Sequence, residues 1–251
     1  MIIQSYENSK RADACIEYIR GSEHFKKINA IYLLPIPSTR DNVTITGTNI
    51  DILGVIEQIS CGDLLVGYGL PKGCFCDEGL GGGFFDVEDD EDFLLENAYL
   101  TALATIGIIM TSETRAPSDM RIGVVGYGRI GKYLTEMLLY LGAYVRVYTS
   151  RRDTRIDLCE SGVMAVSSCE NADLRGIDLL INTAPAVIFD TSAEGFPQNL
   201  RIIDLASGVN FPDVKRVEKY PSIPAKMFPV TAGIAWGRAI ERYVISKMEH
   251  K

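Results

Sequence analysis

The sequence predicts an α/β fold built on a doubly wound parallel sheet, with a smaller α/β domain before it. Two observations support this prediction. Apolar segments of strand and helix character alternate along the chain, and a glycine pattern follows a short apolar strand at residues 121–125. With 251 residues, of which 47% are hydrophobic, the chain is long enough for one large domain or two modest ones.

The first domain is predicted over residues 1–92. In order, we expect a strand at 1–5, a helix at 10–19, a strand at 30–34, a helix at 50–59 and a strand at 63–68. Residues 71–92 then interrupt the alternation with a glycine cluster and an acidic run. No Lys-Ser/Thr pair follows these glycines, and the acids would repel phosphate, so we expect a flexible connection rather than a phosphate loop.

The remaining boundaries follow from helical periodicity. Residues 93–111 are predicted as a bridging helix, in which Ala98, Ala102 and Ala104 would allow close packing. A Rossmann-type dinucleotide-binding domain is predicted over 112–230, and a C-terminal helix over 231–251 at the domain junction. Trp236 in that last helix is interpreted as a core residue.

Residues 126–131 read Gly-Tyr-Gly-Arg-Ile-Gly, the G-x-G-x-x-G pattern of dinucleotide-binding proteins. The pattern lies between the strand at 121–125 and a helix predicted at 132–141. The first glycine permits a tight turn, the second a close approach of pyrophosphate, and the third close packing of helix on strand. The alternative is a turn that binds another nucleotide, or none. The predicted cofactor-binding residues of this turn are Gly126, Tyr127, Gly128, Arg129, Ile130 and Gly131.

The next predicted strand, at 143–148, leads to residues that favour NADP over NAD. Thr149 occupies the position where NAD-binding proteins carry an acid that grips the ribose hydroxyls. Ser150 can donate a hydrogen bond to a 2′-phosphate, and Arg151 and Arg152 can make charge-assisted contacts with it. The alternative is that the two arginines are a solvated pair opening a loop.

Two further strands, at 177–182 and 200–205, end in polar loops. Ligands of doubly wound sheets bind beyond the carboxyl ends of the strands, so both loops are expected near the nicotinamide. Asn182, Thr183 and Ser207 are therefore the candidate catalytic residues, and Ala184 and Pro185 candidate cofactor contacts. Asn182 can equally cap the following turn.

Composition excludes several classes of function. A net charge of −8 disfavours nucleic acid and anionic membrane as partners, which leaves small molecules or proteins. The six cysteines form no CxxC pair, and only His24 and His250 are present, which disfavours Ser-His-Asp hydrolysis and a metal site. The first twenty residues lack the apolar core of a signal peptide, so a cytoplasmic location is expected.

Four segments together resemble the A subunit of dipicolinate synthase of spore-forming bacteria. They are residues 126–131, Asn-Thr-Ala-Pro-Ala at 182–186, Ile-Asp-Leu-Ala-Ser at 203–207, and the proline-rich stretch at 221–233. The resemblance covers residues 91–248 and only faintly 30–70. It implies an NADP-dependent oxidation of a dihydrodipicolinate ring to dipicolinate during sporulation. It also implies a fold like that of the D-2-hydroxyacid dehydrogenases and, for a partner, a flavoprotein-like B subunit.

This chain departs from that family in several loops. Gly208-Val-Asn210 replaces a longer Pro-Gly-Gly stretch, and Ser222 and Ala225 replace glycines. A dicarboxylate substrate needs cations or hydrogen-bond donors, which Ser38, Thr39 and Arg40 can supply after the second strand; the alternative is an ordinary polar loop. Ser207 and Thr231 are assigned to the site mainly through the resemblance.

Three functions remain open. The first is the NADP-dependent oxidoreductase, which we also expect to form a homo-oligomer. The second is a non-catalytic or regulatory NADP-binding subunit, favoured by the altered loops. The third, a D-2-hydroxyacid dehydrogenase, is disfavoured because no His precedes His250 in the second domain and Ser207-Gly208 replaces the expected Arg.

Overall fold

The computed structural model describes residues 1–70, 83–168, 173–189, 197, 200–207, 210–211, 214 and 216–249. The chain divides into two compact units. Unit 1 comprises Met1–Asn97 and Pro224–Lys251, and unit 2 comprises Ala98–Ile223.

Strands and helices alternate along most of the chain. The N-terminal elements are β1 (Ile2–Ser5), α1 (Lys10–Gly21), β2 (Ala30–Leu33), α2 (Ile52–Ile56), β3 (Leu64–Gly67), β4 (Gly83–Asp86) and α3 (Glu91–Ser112). They are followed by β5 (Arg121–Val125), α4 (Arg129–Tyr140), β6 (Tyr144–Tyr148), α5 (Arg152–Glu160), β7 (Met164–Val166), β8 (Leu179–Asn182), β9 (Arg201–Asp204), β10 (Val217–Lys219), α6 (Ile223–Met227) and α7 (Pro229–Glu249). Short 3₁₀ helices lie at Glu23–Lys27, Val87–Asp89 and Pro117–Asp119.

Unit 1 contains a four-stranded parallel sheet in the order β1-β2-β3-β4. All five elements predicted from residues 1–68 are present, although α2 is shorter than the predicted 50–59. The central strand β3 is buried along its whole length, as expected for a parallel strand covered on both faces.

The prediction of a flexible connection was wrong for residues 83–92, whereas residues 71–82 lie outside the described part of the chain. Residues 83–86 form β4, which pairs in parallel with β3, and Glu91 begins α3. The Phe85 side chain is buried and stacks on Tyr243 with ring centroids 4.6 Å apart. This long-range pairing and packing outweighs the turn and loop preferences of the local glycines and acids.

Helices α1 and α7 pack closely within unit 1 because two glycines of α7 lie at their contact. A Cβ added at Gly233 would lie 2.3 Å from the carbonyl oxygen of Arg11, and one at Gly237 would lie 2.5 Å from Cδ1 of Tyr18. Trp236, between these glycines, is fully buried in the core of unit 1, where the Arg11 guanidinium lies 5.7 Å from the centre of its ring.

Asp90 fixes the start of α3 inside unit 1. Its carboxylate accepts a hydrogen bond of 2.7 Å from the backbone N–H of Phe93, which is the role of a helix N-cap. The same carboxylate accepts two hydrogen bonds from the guanidinium of Arg242 on α7, at 2.9 and 2.6 Å. Burial alone would raise the pKa of Asp90, but these hydrogen bonds outweigh it and hold the pKa below its ordinary value.

Helix α3 is, within the described ranges, the one helix long and apolar enough to cross a membrane. Core helices of proteins without any membrane segment meet the same criterion of length and hydropathy. Ala98, Ala102 and Ala104, the small residues noted in the sequence, are all buried.

Unit 2 contains a six-stranded sheet in the order β10-β9-β8-β5-β6-β7, and every pairing in it is parallel. Counted from β5 as the first strand, this is a doubly wound order, with its switch point between β5 and β8. The predicted strands β5, β6, β8 and β9 and the helix α4 are confirmed. The short elements α5, β7, β10 and α6 were not predicted.

Candidate functional site

The glycine turn follows β5 directly at the switch point of the sheet in unit 2. Gly126 has φ +88°, a left-handed conformation that a side chain would strain, and its N–H donates to the carbonyl oxygen of Tyr148 at 2.8 Å. A Cβ added at Gly131 would lie 2.3 Å from the carbonyl oxygen of Gly126. Two of the three glycines are therefore required by the turn and by the packing of α4 against it.

Gly128 differs from these two glycines because nothing lies within 4 Å of the position its Cβ would take. It is the N-cap residue of α4, and its own position supplies no side-chain cap to the first turn of that helix. The backbone N–H groups at a helix N-terminus attract phosphate oxygens, and a missing side chain leaves room for them. The space at Gly128 therefore fits a pyrophosphate. Arg129 is exposed and Ile130 half-buried in the first turn of α4.

The loop after β6 lies against the glycine turn. Nη2 of Arg151 donates to the carbonyl oxygen of Tyr127 at 2.6 Å. Ser150, Arg151 and Arg152 are exposed, whereas Thr149 is buried and its N–H donates to the carbonyl oxygen of Val166 at 3.1 Å. The residues predicted to contact a 2′-phosphate thus stand beside the residues predicted to contact the pyrophosphate.

Arg155, on α5, contacts the candidate site and is not among the residues predicted from the sequence. Its Nη1 donates to the carbonyl oxygens of Thr149 and Ser150, each at 2.8 Å, and so holds the chain at the end of β6. Recognising α5 from sequence would have indicated it, because an Arg in the first turns of a helix can reach back to the preceding loop.

Tyr127, the residue between the first two glycines, has a neutral side chain. Burial raises the pKa of its phenol, and Glu136 raises it further. The ammonium of Lys132 lies 6.0 Å from the centre of the ring. Lys132 and Arg151 are therefore cationic groups at this turn, and they favour an anionic ligand.

The loop after β8 reaches the same turn through Thr183. Its hydroxyl donates to the carbonyl oxygen of Val125 at 2.8 Å, and a Cβ added at Gly126 would lie 2.7 Å from that hydroxyl. Ala184 is half-buried and Pro185 is exposed in this loop. Thr183 and Ala184 therefore contact the glycine turn from the β8 side, at the switch point.

Asn182 forms the capping turn that the sequence left open as an alternative. It is buried, its Oδ1 accepts from the N–H of Ala184 at 3.2 Å, and its Nδ2 donates to the carbonyl oxygen of Ala184 at 3.1 Å. Its Nδ2 also donates to Oδ1 of Asp204 at 2.8 Å. Ser207, the third catalytic candidate, is exposed after β9.

The residues proposed for substrate binding after β2 belong to unit 1, and they differ in exposure. Ser38 is fully buried; its hydroxyl donates to the carbonyl oxygen of Pro35 at 3.0 Å and accepts from the N–H of Tyr68 at 2.7 Å. Thr39 is buried and donates to Asp41 at 3.0 Å. Arg40 is exposed. Of the three, only Arg40 is open to solvent.

Thr231 is exposed in the first turn of α7. No group of three or more His, Cys, Asp or Glu side chains capable of holding a metal ion occurs in the described ranges. Cys74, Cys76, Cys169 and His250 lie outside those ranges.

The strand order of unit 2 and the glycine turn at its switch point define a Rossmann-type, doubly wound fold. No family model matches the chain, and no curated protein sequence matches it.

Solved structures share this architecture. The dipicolinate synthase A protein from Bacillus halodurans is similar, with a TM-score of 0.73 and 20% identity over 97% of this chain and 96% of that one. Its counterpart from Bacillus subtilis has a TM-score of 0.78 and 16% identity over 100% and 96%. The transhydrogenase from Sinorhizobium meliloti has a TM-score of 0.59 and 13% identity over 96% and 91%. The fold is thus shared with the two dipicolinate synthase proteins over nearly their whole length.

Proposed function

We propose that the chain is an NADP-dependent oxidoreductase that resembles the dipicolinate synthase A subunit. It oxidises a dihydrodipicolinate-type cyclic dicarboxylate to dipicolinate. The observation that carries the proposal is the open space at Gly128, at the N-terminus of α4, with the exposed Arg151 and Arg152 beside it. The full-length structural similarity to two dipicolinate synthase A proteins supports the choice of substrate class.

In unit 2, the residues on the two sides of the switch point contact different parts of the cofactor. The turn at 126–131 holds the pyrophosphate through backbone N–H groups, and Gly128 provides the room for it. Ser150, Arg151 and Arg152 bind the 2′-phosphate, and Thr149 carries no charge that would repel it. The loops after β8 and β9 adjoin the nicotinamide half.

When bound, NADP would supply an oxidised nicotinamide ring that accepts one hydride from the dihydropyridine, while the second hydrogen leaves the ring as a proton to solvent. Aromatisation of the ring provides the driving force. The protein contributes mainly position, so a strong dedicated base is unnecessary. Thr183 and Ser207 orient the reacting groups, and Asn182 shapes the loop through its capping turn. Arg40 and Thr231 are the proposed contacts for the substrate carboxylates.

A second candidate is a regulatory subunit that binds NADP without turnover. Internal hydrogen bonds of polar groups assigned to the site favour it. The engaged groups are the amide of Asn182 and the hydroxyls of Thr183, Ser38 and Thr39. A flavoprotein-like B subunit, a homo-oligomeric state and a cytoplasmic location complete the proposal.

Turnover assays distinguish the two candidates. The purified chain is incubated with NADP and a chemically generated dihydrodipicolinate, alone and with a flavoprotein-like B subunit, while NADPH formation is followed by its absorbance. NADPH together with dipicolinate supports the oxidoreductase. Saturable NADP binding without NADPH formation, both for the chain alone and with the B subunit, supports the regulatory subunit.

A further inference from the structure

Asp204, the last residue of β9, is a buried acid that the proposed reaction does not use. The residue is 1% exposed. Among the described residues, no Lys, Arg or His forms an ion pair with it, and the groups that donate to it are neutral amides. A carboxylate removed from water needs such donors, and its position is then fixed by them.

The donors come from both loops that flank the proposed nicotinamide region. Nδ2 of Asn182, at the end of β8, donates to Oδ1 of Asp204 at 2.8 Å. The N–H of Ala206 donates to the same oxygen at 3.2 Å. Nδ2 of Asn210 lies 3.3 and 3.2 Å from the two carboxylate oxygens and also donates to the carbonyl oxygen of Ser207 at 3.3 Å.

One carboxylate therefore connects the turn that carries Thr183 with the loop that carries Ser207. In the sheet order, β9 lies on the opposite side of the switch point from β6, whose loop carries Arg151 and Arg152. A change at Asp204 should accordingly disturb one half of a bound dinucleotide and leave the other half in place.

We infer that Asp204 is a positioning residue: it holds residues 182–184 at the end of β8 and residues 205–207 after β9 in the arrangement that receives the nicotinamide half of the cofactor. This inference rests on the proposed NADP binding. It extends that proposal by assigning a role to a side chain that contacts neither phosphate nor the substrate.

The test compares two nucleotides that share the 2′-phosphate. Calorimetry measures the affinity of wild type and Asp204→Asn for NADP and for adenosine 2′,5′-bisphosphate, which lacks the nicotinamide. In the variant, an NH₂ group replaces one carboxylate oxygen of Asp204 and faces amide donors. The residues after β8 and β9 then lose hydrogen bonds to a shared acceptor. We expect NADP affinity to fall about tenfold or more, and affinity for the bisphosphate to change less than about twofold.

Asp178→Asn is the matched control, because Asp178 lies just before β8, at the amino ends of the strands, whereas Asp204 lies at their carboxyl ends. It accepts a hydrogen bond of 2.7 Å from the N–H of Arg121 and pairs with Arg115 at 3.1 Å. This substitution removes a carboxylate from unit 2 as well, but it should leave the ratio of the two affinities unchanged.

Asn210→Ala provides an independent variant that removes one donor to Asp204. We expect the same selective loss of NADP affinity, and this variant decides the question if Asp204→Asn does not fold. Suppose that wild type binds both nucleotides and that the folded variants have the same ratio of affinities as wild type. This result overturns the role of Asp204 but not the proposed function. A wild-type protein that binds neither nucleotide overturns the proposed function, and the inference with it.

Discussion

Gly128 offers the most direct test, at a single residue, of whether the glycine turn binds a pyrophosphate. Its φ of −85° and ψ of −160° are extended values that other residues adopt, and its Cβ position is open. The folded protein therefore does not require glycine there, whereas a closely approaching pyrophosphate does. Gly126 and Gly131, by contrast, are explained by the fold itself.

Gly128→Val should abolish NADP binding and leave the fold intact, because the side chain would fill the space proposed for the pyrophosphate. Calorimetry measures binding, and circular dichroism and thermal unfolding report on the fold. Gly131→Ala is the contrasting variant: its Cβ would lie 2.3 Å from a backbone oxygen, so it should lower the melting temperature. Retained NADP binding in Gly128→Val would contradict the assignment of the turn.

Arg151→Ala combined with Arg152→Ala should weaken NADP binding and leave NAD binding nearly unchanged. A hydrogen bond to a charged group contributes about 1.5–3 kcal/mol, so we expect a loss of at least about tenfold. Arg175→Ala is the control, since its side chain is 90% exposed and pairs with Asp173 elsewhere in unit 2. Equal NADP affinity in the double variant and the control would contradict the phosphate contacts and indicate that the two arginines are a solvated pair.

At the scale of elements, the sequence predicted those whose own pattern determines them. The strands β5, β6, β8 and β9 are apolar runs bounded by turn residues, and their order indicated the doubly wound fold. Strand β4 was missed because glycines and acids surround it, and only its pairing with β3 and the Phe85–Tyr243 stack make it a strand. The roles of individual residues were also only partly predictable, because the sequence could not show that Asn182 and Ser38 use their polar groups in internal hydrogen bonds.

The start of α3 provides a pH-dependent prediction within unit 1. Because the pKa of Asp90 is lowered in the folded protein, its contribution to stability is present above its unfolded pKa of about 3.9 and is lost as pH falls through the folded value. Asp90→Asn should destabilise unit 1 by about 1–3 kcal/mol at neutral pH and make stability less sensitive to acid below the unfolded pKa.

Urea unfolding at several pH values measures this effect, with fluorescence of Trp236 as the probe. It is the single tryptophan of the chain and lies in the core of unit 1. Asp92→Asn serves as the control, because Asp92 is 76% exposed and lies 3.8 Å from Arg242. The same loss of stability in both variants would refute the assigned role of Asp90.

At the scale of the whole molecule, the proposed function assigns cofactor binding to unit 2 and recognition of the substrate carboxylates to unit 1. Arg40→Ala should raise the KM for a dihydrodipicolinate-type substrate several-fold without changing the Kd of NADP, since Arg40 is exposed and belongs to the other unit. Steady-state kinetics and calorimetry measure the two quantities. A weakening of NADP binding that equals the rise in KM would contradict this division.

Ser38→Ala is the companion variant for that experiment. Its hydroxyl makes two internal hydrogen bonds, so its loss should lower the melting temperature of unit 1 rather than act on the substrate alone. Unchanged stability together with a raised KM in Ser38→Ala would contradict this structural role and indicate that Ser38 contacts the substrate.

The central claim, that this fold binds NADP at the glycine turn, is tested most directly by calorimetric titration of the purified protein with NADP and NAD in parallel. We expect saturable NADP binding that is at least about tenfold tighter than NAD binding, because the charge-assisted contacts at 150–152 are available only to the 2′-phosphate. Binding of neither nucleotide would contradict the claim, and a preference for NAD would contradict the roles of Thr149, Arg151 and Arg152.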